Sequence, residues 1–228
     1  MGGEFRLVGS RKTGADGIGP PTQPSPSRGE GFFAVWAGEG VAVSWYCDIA
    51  PGHPVHDSYH AMEYGFPVTD ERVLFERLAL EIMQAGLSWE IVLKKRTALN
   101  RAFDGFAVDK VAAYGAAEVA RLLADAGIVR NRLKIAAIIH NAGVLLELRR
   151  THEGFAGWLA AHHPRPKADW VKLFRQTFKF TGGEIVGEFL MSIGLLPGAH
   201  REDCPVYAAI IAARYDFPPS KLSSKKRS

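Results

Sequence analysis

Apolar side chains recur at helical spacing along almost all of the chain from about residue 44 onward. Asp70 or Thr69 can cap a first long helix, in which apolar positions repeat every three or four residues until Gly86. Ser88 can then cap a second helix, which the pattern predicts to run to Gly105. The sequence holds no alternating strand pattern of any length and no internal repeat. The pattern therefore predicts an all-α protein.

Further helical patterns follow these two, and most of them are short. They are expected near residues 108–114, 117–124, 130–149, 154–162, 168–178, 184–193 and 204–214. Short connections between helices are typical of a single helical domain. We place this domain at residues 41–215.

The two ends of the chain differ from this domain in composition. Residues 1–40 hold 10 of the 24 glycines, a proline-rich stretch and few apolar side chains. Such a segment cannot bury enough apolar surface to offset the entropy of ordering it, so we expect a disordered or non-native extension. Residues 216–228 are expected to form a flexible basic tail.

The formal net charge of +4 says little about partners. Lysine and arginine together number 28 against 24 acidic residues, and the tail accounts for the difference. The basic residues of the tail are Lys221, Lys225, Lys226 and Arg227. Local basic clusters must therefore carry any inference about an anionic partner.

Cysteine content and hydropathy exclude several classes of protein. Two cysteines are too few for a disulfide-framework scaffold. No run of about 18 apolar residues occurs, so a membrane-spanning helix is not expected. The first residues lack the apolar stretch of a signal peptide. We expect a cytoplasmic protein with no membrane partner.

Glu81 lies on the apolar stripe of the first long helix, between Leu78 and Ala85. A buried carboxylate is costly unless it is paired or hydrogen-bonded. Two interpretations remain open at this point. Glu81 is either part of a buried ion pair or a cap, or it is a functional acid that meets a polar or cationic group in a pocket.

A tight corner connects the two long helices. Gly86 ends the first helix and Ser88 begins the second, which puts Leu87 at the tip of the corner. Trp89 falls in the first turn of the second helix, and we expect it to lie close to Glu81 in space. A tryptophan at this position is either a core residue or a stacking platform.

Four metal-binding side chains lie near the two ends of the predicted domain. Two Cys and two His are the donors of a tetrahedral zinc site. The candidate ligands are Cys47, His60, His200 and Cys204. If the last two share a helix, their spacing of four residues puts them on one face. His53 and His56 compete for the ligand role, and a cysteine nucleophile activated by a histidine is a further alternative.

A hairpin of two helices is predicted around Gly127, with a new helix beginning at about Arg130. The N–H groups at such a helix start suit a phosphate oxygen. Arg130, Arg132 and Lys134 add local positive charge. An ordinary hairpin with a solvated basic face is the alternative interpretation.

Three motifs, in this order, resemble a known family. The first is Tyr59-His60-x-x-Glu63-Tyr64-Gly65-x-Pro67. The second is Leu80-Glu81-x-x-Gln84-Ala-Gly-Leu-Ser-Trp89-x-x-Val92-Leu-Lys-Lys-Arg96. The third is Asp125-Ala-Gly-Ile-Val-Arg130-x-Arg132-x-Lys134-Ile. The sequence resembles the bacterial 3-methyladenine DNA glycosylase I family, helix-hairpin-helix proteins with a structural zinc, over roughly residues 44–208.

The resemblance implies a role for each matching residue. Glu81 is expected to be the catalytic carboxylate that recognises a flipped base. The aromatic residues of the base pocket are expected to be Tyr59, Tyr64 and Trp89. The DNA-binding residues implied by the corner and the hairpin are Gly86, Leu87, Gly127, Val129, Arg130 and Lys134. Structural Zn²⁺ is expected on Cys47, His60, His200 and Cys204.

The activity implied is hydrolysis of the N-glycosidic bond of N3-methyladenine in double-stranded DNA containing alkylated bases, by a monomer. The matched motifs contain no lysine placed as a Schiff-base nucleophile, so a monofunctional enzyme is expected. The rival hypotheses are a lesion-binding protein with weak catalysis, a glycosylase for another damaged base, and a zinc-containing helical protein unrelated to DNA.

The sequence departs from the family at several positions. Tyr64 stands where a tryptophan is usual, and an isoleucine two residues after Cys47 stands in a segment that usually has an aromatic residue. Glu184 and Glu188 add negative charge to a segment that usually reads closer to Gly-Thr-Thr. These two acidic residues either tune the choice of substrate or are only solvated.

Overall fold

The computed structural model describes residues 45–214, which form eleven α-helices and a short 3₁₀ turn without any strand. The helices are α1 (Tyr46–Ile49), α2 (Asp57–Met62), α3 (Glu71–Gln84), α4 (Trp89–Ala102), α5 (Val108–Ala112), α6 (Ala116–Ala124), α7 (Arg132–His152), α8 (Phe155–His162), α9 (Lys167–Thr177), α10 (Gly183–Ser192) and α11 (Tyr207–Arg214). The predicted all-α class is confirmed. The predictions for residues 1–40 and 216–228 lie outside the described residues.

The two long helices begin where the sequence predicts. The Asp70 carboxylate accepts a hydrogen bond of 3.0 Å from a backbone N–H of the first turn of α3. The Ser88 hydroxyl caps α4 in the same way over 3.4 Å. Helix α4 ends at Ala102 rather than at Gly105, because the backbone turns left-handed from Asp104 (φ 52°) through Gly105 (φ 64°) in the 3₁₀ turn that follows. Left-handed backbone of this kind stops an α-helix.

Two other boundaries differ from the prediction. Helix α7 begins at Arg132, because the Asn131 side chain caps it by accepting hydrogen bonds from two backbone N–H groups over 3.0 and 3.1 Å. Helix α11 begins only at Tyr207, so Cys204 precedes it. The conditional expectation that His200 and Cys204 share a helical face is therefore wrong.

Helix α3 forms the centre of the domain. Every residue from Leu74 to Met83 is buried, and α4, α7, α8 and α10 pack around the helix. A helix that is enclosed on all sides normally carries apolar residues only. This one also carries Glu76, Arg77 and Glu81, all of them buried. Each of these charged groups therefore needs a partner in the protein or a ligand.

The C-terminal helices hold α10 against α3 through an aromatic layer. The rings of Phe155 in α8 and Phe189 in α10 stack with centroids 5.6 Å apart. Phe174 of α9 lies 5.7 Å from the same Phe189 ring. Buried rings at these separations fix the position of α10 firmly. The residues of α10 that face α3 are thereby held in place.

The segment after α2 contacts the end of α10 closely at Gly65. Its N–H donates to the carbonyl of Ser192 over 3.0 Å, and its φ is 89°. A Cβ at Gly65 would lie 2.9 Å from the side chains of both Ala199 and Ile210. Only glycine fits this position, which joins the first and last parts of the described chain.

Among the described helices, none is long and apolar enough to cross a membrane.

Candidate active site and metal centre

Four aromatic rings from α1, α2, α4 and the segment after α2 meet at one place. The ring centroid of Tyr59 lies 5.1 Å from that of Trp89 and 5.8 Å from that of Tyr64. Tyr46 completes the group at 5.5 Å from Tyr64. All four side chains are between 0% and 3% exposed. The three aromatic residues predicted for the base pocket are therefore brought together, with a fourth that the sequence did not single out.

Glu81 lies in α3 beside this aromatic cluster and is 2% exposed. Its Oε2 atom has no hydrogen-bond partner among the described residues. Burial raises the pKa of Glu81 well above its usual value, the charge of Glu188 raises it further, and Arg77 opposes the shift. Burial is the main reason why the pKa values of Tyr59 and Tyr64 are raised, and the charge of Glu81 adds to both shifts. Glu81 is thus a buried acceptor that no described residue satisfies, which makes it a candidate for contact with a ligand.

A network of charged groups positions Tyr59. The Arg77 guanidinium donates to the Tyr59 hydroxyl over 3.2 Å and lies 4.9 Å from the centre of its ring. Glu63 accepts from Arg77 and from Arg96, both over 2.8 Å. Arg96 also pairs with the Glu76 carboxylate at 2.9 Å. Glu76 and Arg77 are therefore each paired with an opposite charge, although Nε of Arg77 has no hydrogen-bond partner, and Glu81 is the buried charged residue of α3 without an ion pair among the described residues.

The corner between α3 and α4 forms next to this cluster, as the sequence predicts. Gly86 adopts φ 80°, and a Cβ there would meet no atom within 4 Å. Leu87 at the tip is 38% exposed. An apolar side chain is thus presented to solvent two residues before the buried Trp89.

Lys134 joins the hairpin to this corner. Its ammonium group donates to the carbonyl of Met83 over 2.9 Å and to that of Ala85 over 2.5 Å. The side chain is 4% exposed, and burial lowers the pKa of Lys134. The position of Lys134 therefore favours a structural role over the predicted contact with DNA.

The hairpin itself offers backbone donors in its turn and at Arg132, the first residue of α7, whose N–H has no acceptor among the described residues. The Asn131 cap already occupies two N–H groups of the first turn of that helix. The N–H groups of Val129 and Arg130 have no acceptor among the described residues. The N–H of Gly127 donates to the Asp125 carboxylate over 2.7 Å, which fixes the turn. The predicted residues of the hairpin therefore lie together, with Val129 and Arg130 supplying the free donors.

The four predicted metal ligands converge although they lie at opposite ends of the domain. Their ligand atoms all lie within 4.8 Å of one another. The Sγ of Cys204 lies 3.3 Å from His200 Nδ1 and 3.7 Å from His60 Nε2. The Sγ of Cys47 lies 3.7 Å from His200 Nδ1. These separations fit four donors around one tetrahedral ion.

The surroundings of the two histidines also fit metal binding. The Nε2 of His200 lies 2.9 Å from the carbonyl oxygen of Tyr64. An N–H donated to this carbonyl leaves the lone pair of His200 Nδ1 free for an ion. Burial lowers the pKa of His200 to about 4 and also lowers that of His60, so both rings are neutral near pH 7. Neutral imidazole is the form that binds a metal.

His53 and His56, the competing histidines, lie in a different group. One ring nitrogen of each histidine and a carboxylate oxygen of Glu90 lie within 4.8 Å of one another. The Nδ1 of His56 lies 3.1 Å from the hydroxyl of Tyr46. Lys94 pairs with Glu90 at 2.6 Å, which opposes binding of a cation. These two histidines therefore do not compete for the Cys and His cluster.

Three residues of the site could not be assigned from the sequence pattern alone. Tyr46 directly precedes Cys47, and Arg77 lies one turn before Glu81, so proximity to an assigned residue was the available signal. Glu188 was identified only as a departure from the family. Its contact with Tyr64 spans 124 positions of the chain, and periodicity carries no information at such a separation.

Solved structures of similar proteins share this fold. A crystal structure of 3-methyladenine DNA glycosylase I has a TM-score of 0.63 and 35% sequence identity, covering 70% of this chain and 97% of that one. The structure of 3-methyladenine DNA glycosylase I from Staphylococcus aureus, described as showing recognition of 3-methyladenine, has a TM-score of 0.65 and 32% identity, covering 71% and 96%. The fold and the enclosed carboxylate thus define a protein of the all-helical DNA glycosylase class.

Sequence comparison gives the particular family. The family model for methyladenine glycosylase matches residues 49–172. DNA-3-methyladenine glycosylase 1 of Escherichia coli is 37% identical over 169 residues, which make up 66% of this chain and 90% of that protein. DNA-3-methyladenine glycosylase of Haemophilus influenzae is 33% identical over 179 residues, or 70% and 96%. The chain belongs to the methyladenine glycosylase family, and the resemblance identified in its motifs is confirmed.

Proposed function

We propose that the protein is a monofunctional DNA-3-methyladenine glycosylase, which hydrolyses the N-glycosidic bond of N3-methyladenine in alkylated double-stranded DNA. Its relatives in Escherichia coli and Haemophilus influenzae bear the name of this activity. The observation that carries the proposal is the unpaired, buried Oε2 atom of Glu81 beside four aromatic side chains. A cationic, flat base satisfies both the acceptor and the rings.

The residue types account for the chemistry of this reaction. The ring of N3-methyladenine in DNA is positively charged, so its glycosidic bond is already weakened and the leaving group needs no added proton. Glu81 accepts hydrogen bonds from the ring, and an aromatic wall such as Trp89 adds a cation–π interaction of about 0.5–2 kcal/mol. A base enclosed in this way must leave the DNA stack, and a damaged base leaves more easily. Water then attacks C1′ of the sugar.

The corner and the hairpin are proposed to hold the DNA during this step. Leu87 fills the space that the flipped base leaves in the duplex, since it is the exposed apolar residue of the corner. The turn from Gly127 to Arg130 receives a phosphate, because the free N–H groups of Val129 and Arg130 lie there. The exposed Arg130 adds positive charge.

The Cys and His cluster is proposed to hold one structural zinc ion. The donor set and the compact arrangement of ligand atoms support this proposal. Bound Zn²⁺ supplies no chemistry to the base release; it ties Cys47 and His60 to His200 and Cys204. The position of His200 then fixes the backbone of Tyr64 through the carbonyl contact.

A base-release assay on methylated duplex DNA tests the proposed function. The wild-type protein is expected to free 3-methyladenine without cutting the strand. Glu81→Gln is expected to lower the rate about 10- to 100-fold, because a hydrogen bond between charged groups is weakened to a neutral one. Affinity for undamaged duplex stays nearly unchanged, because Glu81 is enclosed and does not contact the backbone.

Glu147→Gln is the matched control, because Glu147 lies on the exposed face of α7 and its side chain is 64% exposed. It is expected to release base at the wild-type rate. A wild-type protein that binds damaged duplex but frees no base would support the lesion-binding hypothesis instead. Loss of all DNA affinity in Glu81→Gln would assign Glu81 to the fold.

A further inference from the structure

Helix α10 brings a second carboxylate to the aromatic cluster that surrounds Glu81. The Tyr64 hydroxyl donates a hydrogen bond of 3.1 Å to Oε2 of Glu188. Tyr64 is fully buried and lies in contact with the Tyr46 and Tyr59 rings. Helix α10 packs directly against α3, which carries Glu81. Glu188 thus reaches the same enclosed region as Glu81, from the opposite helix.

We propose that Glu188, oriented by Tyr64, is a second acidic wall of the base pocket and that together with Glu81 it makes the pocket selective for positively charged bases. The location of the base rests on the proposed function. The selectivity rests on the placement of two carboxyl groups beside a single set of aromatic rings.

The charges around Glu188 explain why a cation is required. On α10, the nearby Glu184 opposes ionisation of Glu188; from α9, the positive charge of Lys167 favours it. Tyr64 favours ionisation by donating its hydroxyl, and burial opposes it most strongly, so the pKa of Glu188 is raised to about 7. On α3, burial raises the pKa of Glu81, and the negative charge of Glu188 raises it further. The two carboxyl groups therefore repel each other when both are ionised, so that in a pocket without a positive charge at least one of them holds its proton.

A cationic base relieves this repulsion, whereas a neutral base of the same shape does not. The gain comes from favourable interaction with both carboxylates, and it is larger inside the protein than in water because the surroundings are less polar. A neutral purine instead leaves the repulsion in place or requires a proton on one carboxyl group. The pocket thus distinguishes bases by charge in addition to shape.

Lys167 restricts what else could occupy this side of α10. A Cβ at Gly187 would lie 2.6 Å from Cε and 2.7 Å from Nζ of Lys167, so the lysine side chain crosses the helix there. The glycine lets the lysine pass beside Glu188. Glu188 is thereby oriented by the Tyr64 hydroxyl, while the positive charge of Lys167 favours its ionised form.

Binding of two small purine derivatives tests the selectivity directly. The probes are the 3,9-dimethyladeninium ion, which is permanently positive, and neutral 9-methyladenine, measured by titration calorimetry. The wild-type protein is expected to prefer the cation. Glu188→Gln is expected to reduce that preference by about tenfold or more, because a hydrogen bond to a charged group contributes on this scale. The substitution Glu188→Gln keeps the size of the side chain and an oxygen that accepts the Tyr64 hydrogen bond.

Glu147→Gln is the matched control, since the Glu147 side chain on α7 is 64% exposed and its charge does not act on Glu188. It should retain the wild-type preference. Equal preference in Glu188→Gln and the wild-type protein would overturn the proposal, as would a wild-type preference for the neutral probe. If Glu188→Gln does not fold, Tyr64→Phe serves instead, because it keeps the ring and removes the orienting hydroxyl; an unchanged preference in that variant also overturns the proposal.

Base release separates this inference from the proposed function. If the wild-type protein frees 3-methyladenine and Glu188→Gln frees it about tenfold more slowly, both are supported. If both proteins free it equally well, the enzyme remains and the role of Glu188 fails. If the wild-type protein frees no base, the proposed function fails, and the preference between the two purine probes still decides the role of Glu188.

Discussion

A single side chain, Glu81, links the position of a residue in the fold to the chemistry of the site. The helical stripe predicts its burial, and the structure confirms it at 2% exposure. The sequence left open whether an ion pair within the protein satisfies it. Arg77 favours its ionised form electrostatically, yet the guanidinium donates to Tyr59 and Glu63 instead. Glu81 therefore retains an acceptor atom that no described residue satisfies.

The raised pKa of Glu188 predicts a pH-dependent contribution to stability. The folded state holds this proton up to about pH 7, whereas an unfolded glutamate loses it near 4.5. Between these values the folded state binds more protons, so the free energy of unfolding falls as pH rises. In Glu188→Gln this fall is absent. We therefore expect the variant to gain stability relative to the wild-type protein between about pH 5 and about pH 8.

Urea unfolding of both proteins at the two pH values measures this difference. Glu147→Gln provides the control, because the Glu147 side chain is 64% exposed and should give the same difference from the wild-type protein at both values. A variant whose relative stability falls between the same two pH values would show that the carboxyl group is stabilised in its ionised form. The contact of Glu188 with Tyr64 would then be stronger than the cost of burial.

The start of a helix could be predicted where a capping side chain next to it determines where the helix begins. Asp70 and Ser88 determine the starts of α3 and α4 through their own side chains, and both were identified in advance. The start of α7 was misplaced because Arg130 was taken as its first residue, whereas Asn131 is the cap. The end of α4 depends on left-handed backbone that begins at Asp104, one residue before the glycine, and a helical pattern does not reveal this.

Contacts between elements could not be derived from the pattern. The basic sequence at the start of α7 predicted a patch for phosphate, yet Lys134 turns inward to the end of α3. The carbonyls at that helix end have no partner within their own helix, so a buried cation is favourable there. Which of several nearby basic residues takes this position depends on how the two helices pack.

The position of Lys134 leads to a prediction about the corner. Lys134→Met keeps the length of the side chain but leaves two buried carbonyls without their donor. We expect the free energy of unfolding to fall by about 1–3 kcal/mol, the cost of unsatisfied buried groups. Chemical denaturation measures it. Lys172→Met is the control, because the Lys172 side chain is 75% exposed and a change there should stay within about 0.5 kcal/mol.

Equal stabilities of these two variants would mean that the hydrogen bonds of Lys134 contribute nothing to the joint between the hairpin and the corner. A large effect on DNA affinity without any loss of stability would instead assign Lys134 to the DNA contact that the sequence suggested. The two roles are thus separated by measuring stability and affinity on the same protein.

At the scale of the whole molecule, the family and the all-α fold followed from the sequence, because three specific motifs occur in order. The convergence of Cys47 and His60 with His200 and Cys204 was implied only by that resemblance. Spacing alone did not distinguish them from His53 and His56, which lie in a separate group with Glu90. Long-range geometry selects the ligands, since the two halves of the set lie at opposite ends of the domain.

The cluster predicts about one zinc ion per chain in protein purified without a chelator. Removing the ion frees the two ends of the domain. A covalent cross-link that closes a loop of this length raises the free energy of unfolding by about 4–5 kcal/mol, and we use the same value for the ion. Each kcal/mol shifts the Tm of a domain of this size by about 2–4 °C, so we expect chelation to lower the Tm by about 8–20 °C. Metal analysis and thermal unfolding measure both effects.

Cys204→Ser is expected to lower the zinc content well below one ion per chain, whereas His53→Ala should leave it unchanged. The two variants together separate the Cys and His cluster from the neighbouring histidine group. Zinc content that falls in His53→Ala but not in Cys204→Ser would place the ion in the other group. If the chain contains no zinc and its Tm does not change with chelator, then packing alone joins the two ends.

The meeting of the two ends also determines how the molecule responds to mechanical force. Cys47 and His200 are 153 positions apart in sequence, yet their donor atoms lie 3.7 Å apart. A pull on the ends of the described chain passes through α1 and α11 and then loads the bonds of a bound ion before it loads the helices from α3 to α10. Their rupture would release the enclosed segment, up to roughly 500 Å of extended chain at about 3.3–3.6 Å per residue. Because the carbonyl of Tyr64 contacts His200, the proposed base pocket adjoins the four metal ligands.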